Sequence, residues 1–170
     1  LCVQELRPDV AAAIDDALPH HDRIRDPFPG WEREGNVWWD ARRFGELEHG
    51  ATDHGGVEEL RRLFWVRLHH LPSERELVVA TVHLTWTGGT DEPSTGHSPR
   101  PAQTAAVVAA LTAVAGDGPC LLMGDLNDPV VPVWTLRDVG FTDAWAALGV
   151  QPQPTYPAFP VDGAGSRRPP

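Results

Sequence analysis

The stretch Cys120-Leu121-Leu122-Met123-Gly124-Asp125-Leu126-Asn127-Asp128 constrains this chain more than any other. A continuous apolar run bounded by turn residues fits a short strand covered on both faces. Gly118-Pro119 interrupts the chain before it and Pro129 closes it, and both are turn signals. After the apolar run come a glycine and then polar groups, delivered at the strand's end. Asp125 and Asn127 are separated by one residue, so an extended backbone would point both side chains the same way. A carboxylate beside a carboxamide at the mouth of a sheet can hold a metal-bound water or a phosphate. A loop turn capped by its own side chains would use the same residues, so the rest of the chain has to decide.

The chain has 170 residues, one domain's worth, with enough length for a sizeable core. Its 41% apolar and 22% charged residues fit a globular protein. The formal charge of −10 argues against non-specific binding to a phosphate backbone, which requires a basic surface. It leaves room for a small phosphate substrate, or for nucleic acid held through a metal and a local basic patch. Two cysteines, Cys2 and Cys120, give no disulfide framework, and their apolar surroundings suit buried thiols. No stretch is long and apolar enough to span a membrane. Neither cellular location nor substrate can be read from the sequence, and a monomer is the expectation.

Taken in order, Leu1 to Glu5 suits the end of a strand. Pro8 to Leu18 suits a helix, with Pro8 in the first turn and Val10, Ile14, Ala17 and Leu18 at helical spacing. His20 to Ile24 suits a short strand and Asp26 to Gly35 a loop. Asn36 to Trp39, Phe44 to Glu48, Leu60 to Leu68 and Glu76 to Trp86 are strands, the last the clearest. Ala51 to Gly56 and Thr87 to Ser98 read as loops. Pro101 to Ala115 is the best helix; Val133 to Val139 and Thr142 to Leu148 suggest short ones. Residues 151–170 are proline-rich, without periodicity, and expected to be irregular. Adjacent strands imply antiparallel pairing and the two long helices imply covered sheet faces, an α/β (α+β) domain over residues 1–170.

Four strand ends carry polar groups that could do chemistry: Glu5, Glu34, His83, and Asp125 with Asn127. Each alone has a plain structural use: a solvated charge, a hydrogen-bonded core imidazole, or a capped turn. Together they gain weight, because a sheet gathers strand ends at one rim. Carboxylates with an amide and no cysteine–histidine cluster favour a hard cation such as magnesium over zinc. Rival motifs fail. A calcium loop beginning at Asp125 would have Val130 and Leu136 where glycine and glutamate are required. No GxxxxGK[ST] or HExxH occurs. His20-His21 and His69-His70 are adjacent pairs whose side chains face opposite sides of a strand.

These residues resemble the endonuclease/exonuclease/phosphatase superfamily, the deoxyribonuclease-I-like fold. Val3-Gln4-Glu5 resembles its "QE" strand end. Arg33-Glu34-Gly35-Asn36, followed by a strand and Arg43-Phe44, resembles its "EGnAIfy…RF" segment. Thr81-Val82-His83-Leu84 is similar to its "THL" motif, Arg100 with Gln103 to its "R…Q" pair, and Leu122 to Asn127 to its "GDFN" motif. Gly140 to Trp145 and Thr155-Tyr156 resemble segments that follow. The resemblance implies a four-layer αββα sandwich of two mixed sheets, and hydrolysis of phosphomonoesters or phosphodiesters with Mg2+ or Mn2+. The substrate would be a phosphate ester such as nucleic acid or a phospholipid head group. It further implies that Glu5 and Asp125 bind the metal, and that Asp125 and Asn127 place the attacking water and the phosphate. His83 would bond a phosphate oxygen, Glu34 would orient that imidazole or lie near it, and Arg100 would contact substrate. The family's opening asparagine strand and its closing Arg-Ile-Asp and Ser-Asp-His segments have no counterpart in this sequence. The expectation is therefore a fragment, incomplete at both termini, with doubtful activity of its own. A binding module that keeps the sandwich without the chemistry is the alternative.

Overall fold

The computed structural model describes residues 1–88 and 92–150. In chain order the elements are β1 (Cys2–Gln4), α1 (Pro8–Ala17), β2 (His21–Arg23), α2 (Gly30–Arg33), β3 (Gly35–Asp40), β4 (Phe44–Thr52), β5 (Leu63–His70) and β6 (Arg75–His83). Then follow α3 (Glu92–Thr95), α4 (Arg100–Ala115), β7 (Cys120–Asp125), α5 (Val131–Asp138) and α6 (Ala144–Ala147). The proline-rich stretch 151–170 lies outside the described residues, as does the segment Thr155-Tyr156.

Two sheets face each other. One has the order β1-β3-β2 and is antiparallel throughout; the other has the order β4-β5-β6-β7 and is mixed. Strands β4, β5 and β6 form an antiparallel meander, whereas β6 and β7 are parallel. Parallel neighbours cannot be joined by a tight turn, and α4 supplies the crossover. Alternation along the strands assigns the layers. On β3, Val37 and Trp39 point into the space between the sheets, where they meet Phe64, Val66, Leu68 and Val79. Trp38 points the other way, onto Ala11 and Ile14 of α1. On β6, Val78, Ala80 and Val82 face Val107 and Leu111 of α4. The layers are thus α1, sheet, sheet, α4, the expected sandwich.

Local chemistry explains most departures from the sequence reading. Asp26 to Gly35 is not all loop: α2 inserts Trp31 into the core, 1% exposed. Asn36 is completely buried, and its amide donates to the carbonyls of Ile24 and Trp31 (both 2.9 Å) while its oxygen accepts from Ile24 N (3.2 Å). A buried amide needs such partners, and here they pin α2 and the end of β2 to β3. Strand β4 runs on to Thr52 because Ala51 and Thr52 pair with Phe64 and Leu63. Strand β6 stops at His83, short of Trp86.

The largest correction concerns β7. The sequence reading had it covered on both faces. Instead Cys120 and Leu122 pack toward α4, while Leu121 and Met123 are 53% and 41% exposed. Among the described residues β7 is the last strand of its sheet, with β6 as its one partner. An edge strand alternates between a buried and an open face, and an apolar run cannot announce which strand is the edge.

Candidate active site

Strand ends from both sheets converge on one imidazole. His83 closes β6, 6% exposed, and pairs in register with Asp125 at the end of β7; His83 Nε2 lies 3.9 Å from Asp125 Oδ2. The close approach depends on Gly124. Its φ is 156°, and a Cβ there would lie 2.1 Å from the Val82 carbonyl oxygen. Across the sandwich, Gln4 Nε2 donates to Thr81 Oγ1 (2.5 Å), which ties β1 to β6 and brings the following residue, Glu5, to the same rim. Glu5 has φ 51°, a left-handed conformation uncommon outside glycine.

Asp125 and Asn127 do not project from an extended backbone, as their spacing suggested. The chain turns between them: Asn127 has φ 51°, and its N–H donates to Asp125 Oδ1 at 2.9 Å. The Asn127 amide then donates to the Leu84 carbonyl (2.9 Å). One carboxylate oxygen of Asp125 is therefore used by the turn, and the other faces His83. The side-chain oxygen Oδ1 of Asn127 takes no part in these bonds.

Glu34 stands at the α2–β3 junction, where its Oε2 accepts from Arg61 Nε at 3.2 Å. Arg61 is 8% exposed and also lies 3.5 Å from Glu58. Arg61 and its neighbour Arg62 line a cleft with Gln4, Glu34, Thr81 and His83. The sequence reading missed both arginines, since an Arg-Arg pair before a strand looks like solvated charge. Glu34 thus meets Arg61, and acts on His83 through its charge. Burial pushes the His83 pKa down and the nearby Arg61 guanidinium adds to this, against Asp125, Glu5 and Glu34, which push it up. Below its ordinary value, His83 is neutral at pH 7, and its buried Nδ1 has no hydrogen-bond partner among the described residues.

Arg100 occupies a different setting. It is 3% exposed, donates to the Thr85 carbonyl (3.0 Å) and forms a two-pronged pair with Glu92 (2.7 and 3.1 Å). Its neighbour Gln103 donates to Thr85 Oγ1 (2.7 Å) and to Gly55 O (3.1 Å). These contacts pin the segment after β6 onto α4, so the Arg100 guanidinium is engaged within the fold.

Among the described residues no three histidine, cysteine, aspartate or glutamate side chains form a metal-binding group. Magnesium needs only one or two carboxylates and completes its shell with waters and phosphate oxygens. Glu5 and Asp125 are carboxylates of that kind at the rim.

Comparison with solved structures places this architecture. The human Nocturnin catalytic domain with bound sulfate superposes with a TM-score of 0.68 at 19% identity, over 92% of this chain and 63% of that one. TDP2 of D. rerio in complex with single-strand DNA product gives 0.64 at 18% identity, over 87% and 56%. The endonuclease/exonuclease/phosphatase from Bacteroides vulgatus gives 0.62 at 13% identity, over 83% and 57%. The fold is that of the endonuclease/exonuclease/phosphatase superfamily. This chain spans less than two thirds of each of these structures. No protein-family model and no curated protein sequence matches it. Within the endonuclease/exonuclease/phosphatase fold, the rim carrying Glu5, Glu34, His83 and Asp125 joins both sheets, and the cleft beside His83 is lined by Gln4, Glu34, Arg61 and Thr81.

Proposed function

We propose that this chain carries the larger part of the active site of a divalent-metal-dependent hydrolase of phosphate esters. The observation that supports this most is the convergence of three carboxylates, Glu5, Glu34 and Asp125, on one buried neutral imidazole. Such a rim repels a phosphate unless a cation is present, and Arg61 is already paired with Glu34. Glu5 and Asp125 are the residues that would hold Mg2+ or Mn2+, which as a Lewis acid would offset charge developing on the phosphoryl oxygens.

The chain's own residues would then act as follows. Asp125 Oδ2, the oxygen not used by the turn, orients an attacking water and accepts its proton as the water oxygen bonds to phosphorus and the ester P–O bond breaks, the departing alcohol taking its proton from solvent. The Asn127 side-chain oxygen Oδ1 accepts a hydrogen bond from that water. Neutral His83 donates one hydrogen bond from Nε2 to a non-bridging oxygen, and charge on that oxygen strengthens the bond as the transition state forms. Arg61 holds Glu34 in place and keeps the imidazole from taking up a second proton. The DNA product bound to the TDP2 structure and the sulfate in Nocturnin support an oxyanion ligand of the phosphoester class.

The test is turnover of phosphomonoesters and phosphodiesters with and without Mg2+. Asp125→Asn should lower kcat by about 100-fold or more, the usual cost of losing one such group, with the fold retained. Unchanged turnover would remove Asp125 from the chemistry. Phosphoester binding without turnover in the wild-type chain would favour a binding module.

A further inference from the structure

Four of the seven tryptophans, Trp31, Trp38, Trp39 and Trp65, are buried in the core. Trp86 is 56% exposed, and its position is unusual. Leu84 donates to the Asp125 carbonyl (2.9 Å) and accepts from the Asn127 amide (2.9 Å). Thr85 is buried, its N–H bonded to Gln103 Oε1 (3.1 Å) and its carbonyl to Arg100. On the other side, Thr87 Oγ1 donates to the Asn127 carbonyl (3.2 Å) and Gly88 N–H donates to Glu92 (3.0 Å). The backbone around Trp86 is thus tied on both sides to the Asp125–Asn127 turn or to α4. The indole itself has no hydrogen-bond partner among the described residues.

A large ring left in water on so tightly held a segment loses hydrophobic stabilisation that burial would bring. Its fixed backbone also means that a flat ligand can stack on it at little further ordering cost. We propose that Trp86 is a stacking platform, giving the site a preference for phosphate esters that carry a flat aromatic group next to the phosphate. This rests on the phosphoester reading above. The net charge of −10 favours a short ester with few phosphates over a long polyanion. A nucleobase and a phenol both present the required π-face.

The test is calorimetric titration of the full chain, with Mg2+ present, by adenosine monophosphate, phenyl phosphate and ribose 5-phosphate. Stacking of this kind is worth on the order of tenfold in affinity. The two aromatic phosphates should bind about tenfold more tightly than ribose 5-phosphate. Trp86→Leu should bring the ratio to near one, and Trp86→Phe should keep most of it. A preference for adenosine monophosphate alone would identify a nucleobase; equal preference for phenyl phosphate would identify any aryl group. Equal binding of all three, no measurable binding of any, or a ratio that survives Trp86→Leu would overturn the proposal. Turnover is scored separately. A Trp86-dependent ratio without hydrolysis of any ester overturns the hydrolase reading alone, and hydrolysis with a ratio near one overturns the role of Trp86 alone.

Discussion

Replacing Gly124 by alanine tests how β7 delivers Asp125. A Cβ at this position would lie 2.1 Å from Val82 O, 2.9 Å from Val82 N and 3.0 Å from Val82 C, all backbone atoms. Since no side chain can rotate away, β7 must retreat from β6 by about 1 Å to restore van der Waals contact. A bond such as Leu84 N–H to Asp125 O, now 2.9 Å, would then stretch beyond hydrogen-bonding range. Losing about two ladder bonds costs about 1 kcal/mol each. Backbone strain at a φ of 156° adds about 1–3 kcal/mol. The sum, about 3–5 kcal/mol, is a large part of the roughly 5–15 kcal/mol that holds a domain together. Gly116→Ala is the control, because φ there is 54° but no atom lies within 4 Å of the added Cβ. It should cost about 1–3 kcal/mol, from strain alone. Urea denaturation followed by tryptophan fluorescence should show a midpoint about 1–2 M lower for Gly124→Ala than for Gly116→Ala. If the two variants unfold within about 0.5 M of each other, the close contact with Val82 is not what fixes this glycine.

Two further perturbations probe the scaffold. Asn36→Ala would leave the Ile24 N–H and the Trp31 carbonyl without their present side-chain partner, while the Ile24 carbonyl keeps Arg23; with each orphan costing about 1–3 kcal/mol, a stability loss of at least about 2 kcal/mol is expected in the same urea assay, and a loss below about 1 kcal/mol would contradict it. His49 sits between Glu46 (2.6 Å) and Asp26 (3.3 Å); partial burial lowers its pKa, but the two carboxylates outweigh burial and raise it overall. A raised folded-state pKa stabilises fully below the unfolded value of about 6.5, and that stability is lost as pH rises through the folded value. The difference in Tm between wild type and His49→Gln should therefore shrink from pH 5.5 to pH 8.5, and a constant difference would show that the imidazolium is not involved.

Much of this architecture was legible in the sequence because it depends on local pattern. The alternation of β5 and β6, the alanine-rich α4 and the punctuation by glycine and proline are short-range signals. The candidate residues share a rim for a different reason: Glu5, His83 and Asp125 each end an apolar run, Glu34 stands just ahead of one, and sheets gather such ends. What could not be read depends on partners distant in sequence. The exposure of Leu121 and Met123 follows from β7 lying at an edge. The helical turn α3 is tied down by Glu92 bonding to Arg100, and nothing near residue 92 announces it. Arg61 looks like ordinary surface charge until Glu34, from another segment, closes on it. The same blindness affected Asp125 and Asn127, whose convergence requires a left-handed residue that spacing alone does not reveal.

The parallel pairing of β6 with β7 also bears on the order in which the molecule can form. The meander β4–β5–β6 pairs strands that follow one another in sequence, with a tight link only between β5 and β6. His83 and Asp125, although neighbours in space, meet only after the whole of α4 has folded back across the sheet, and contacts so distant in sequence form slowly. This pair of the candidate site is thus joined by one of the late contacts, not by the nucleus. A refolding chain should bury the core tryptophans before His83 and Asp125 meet.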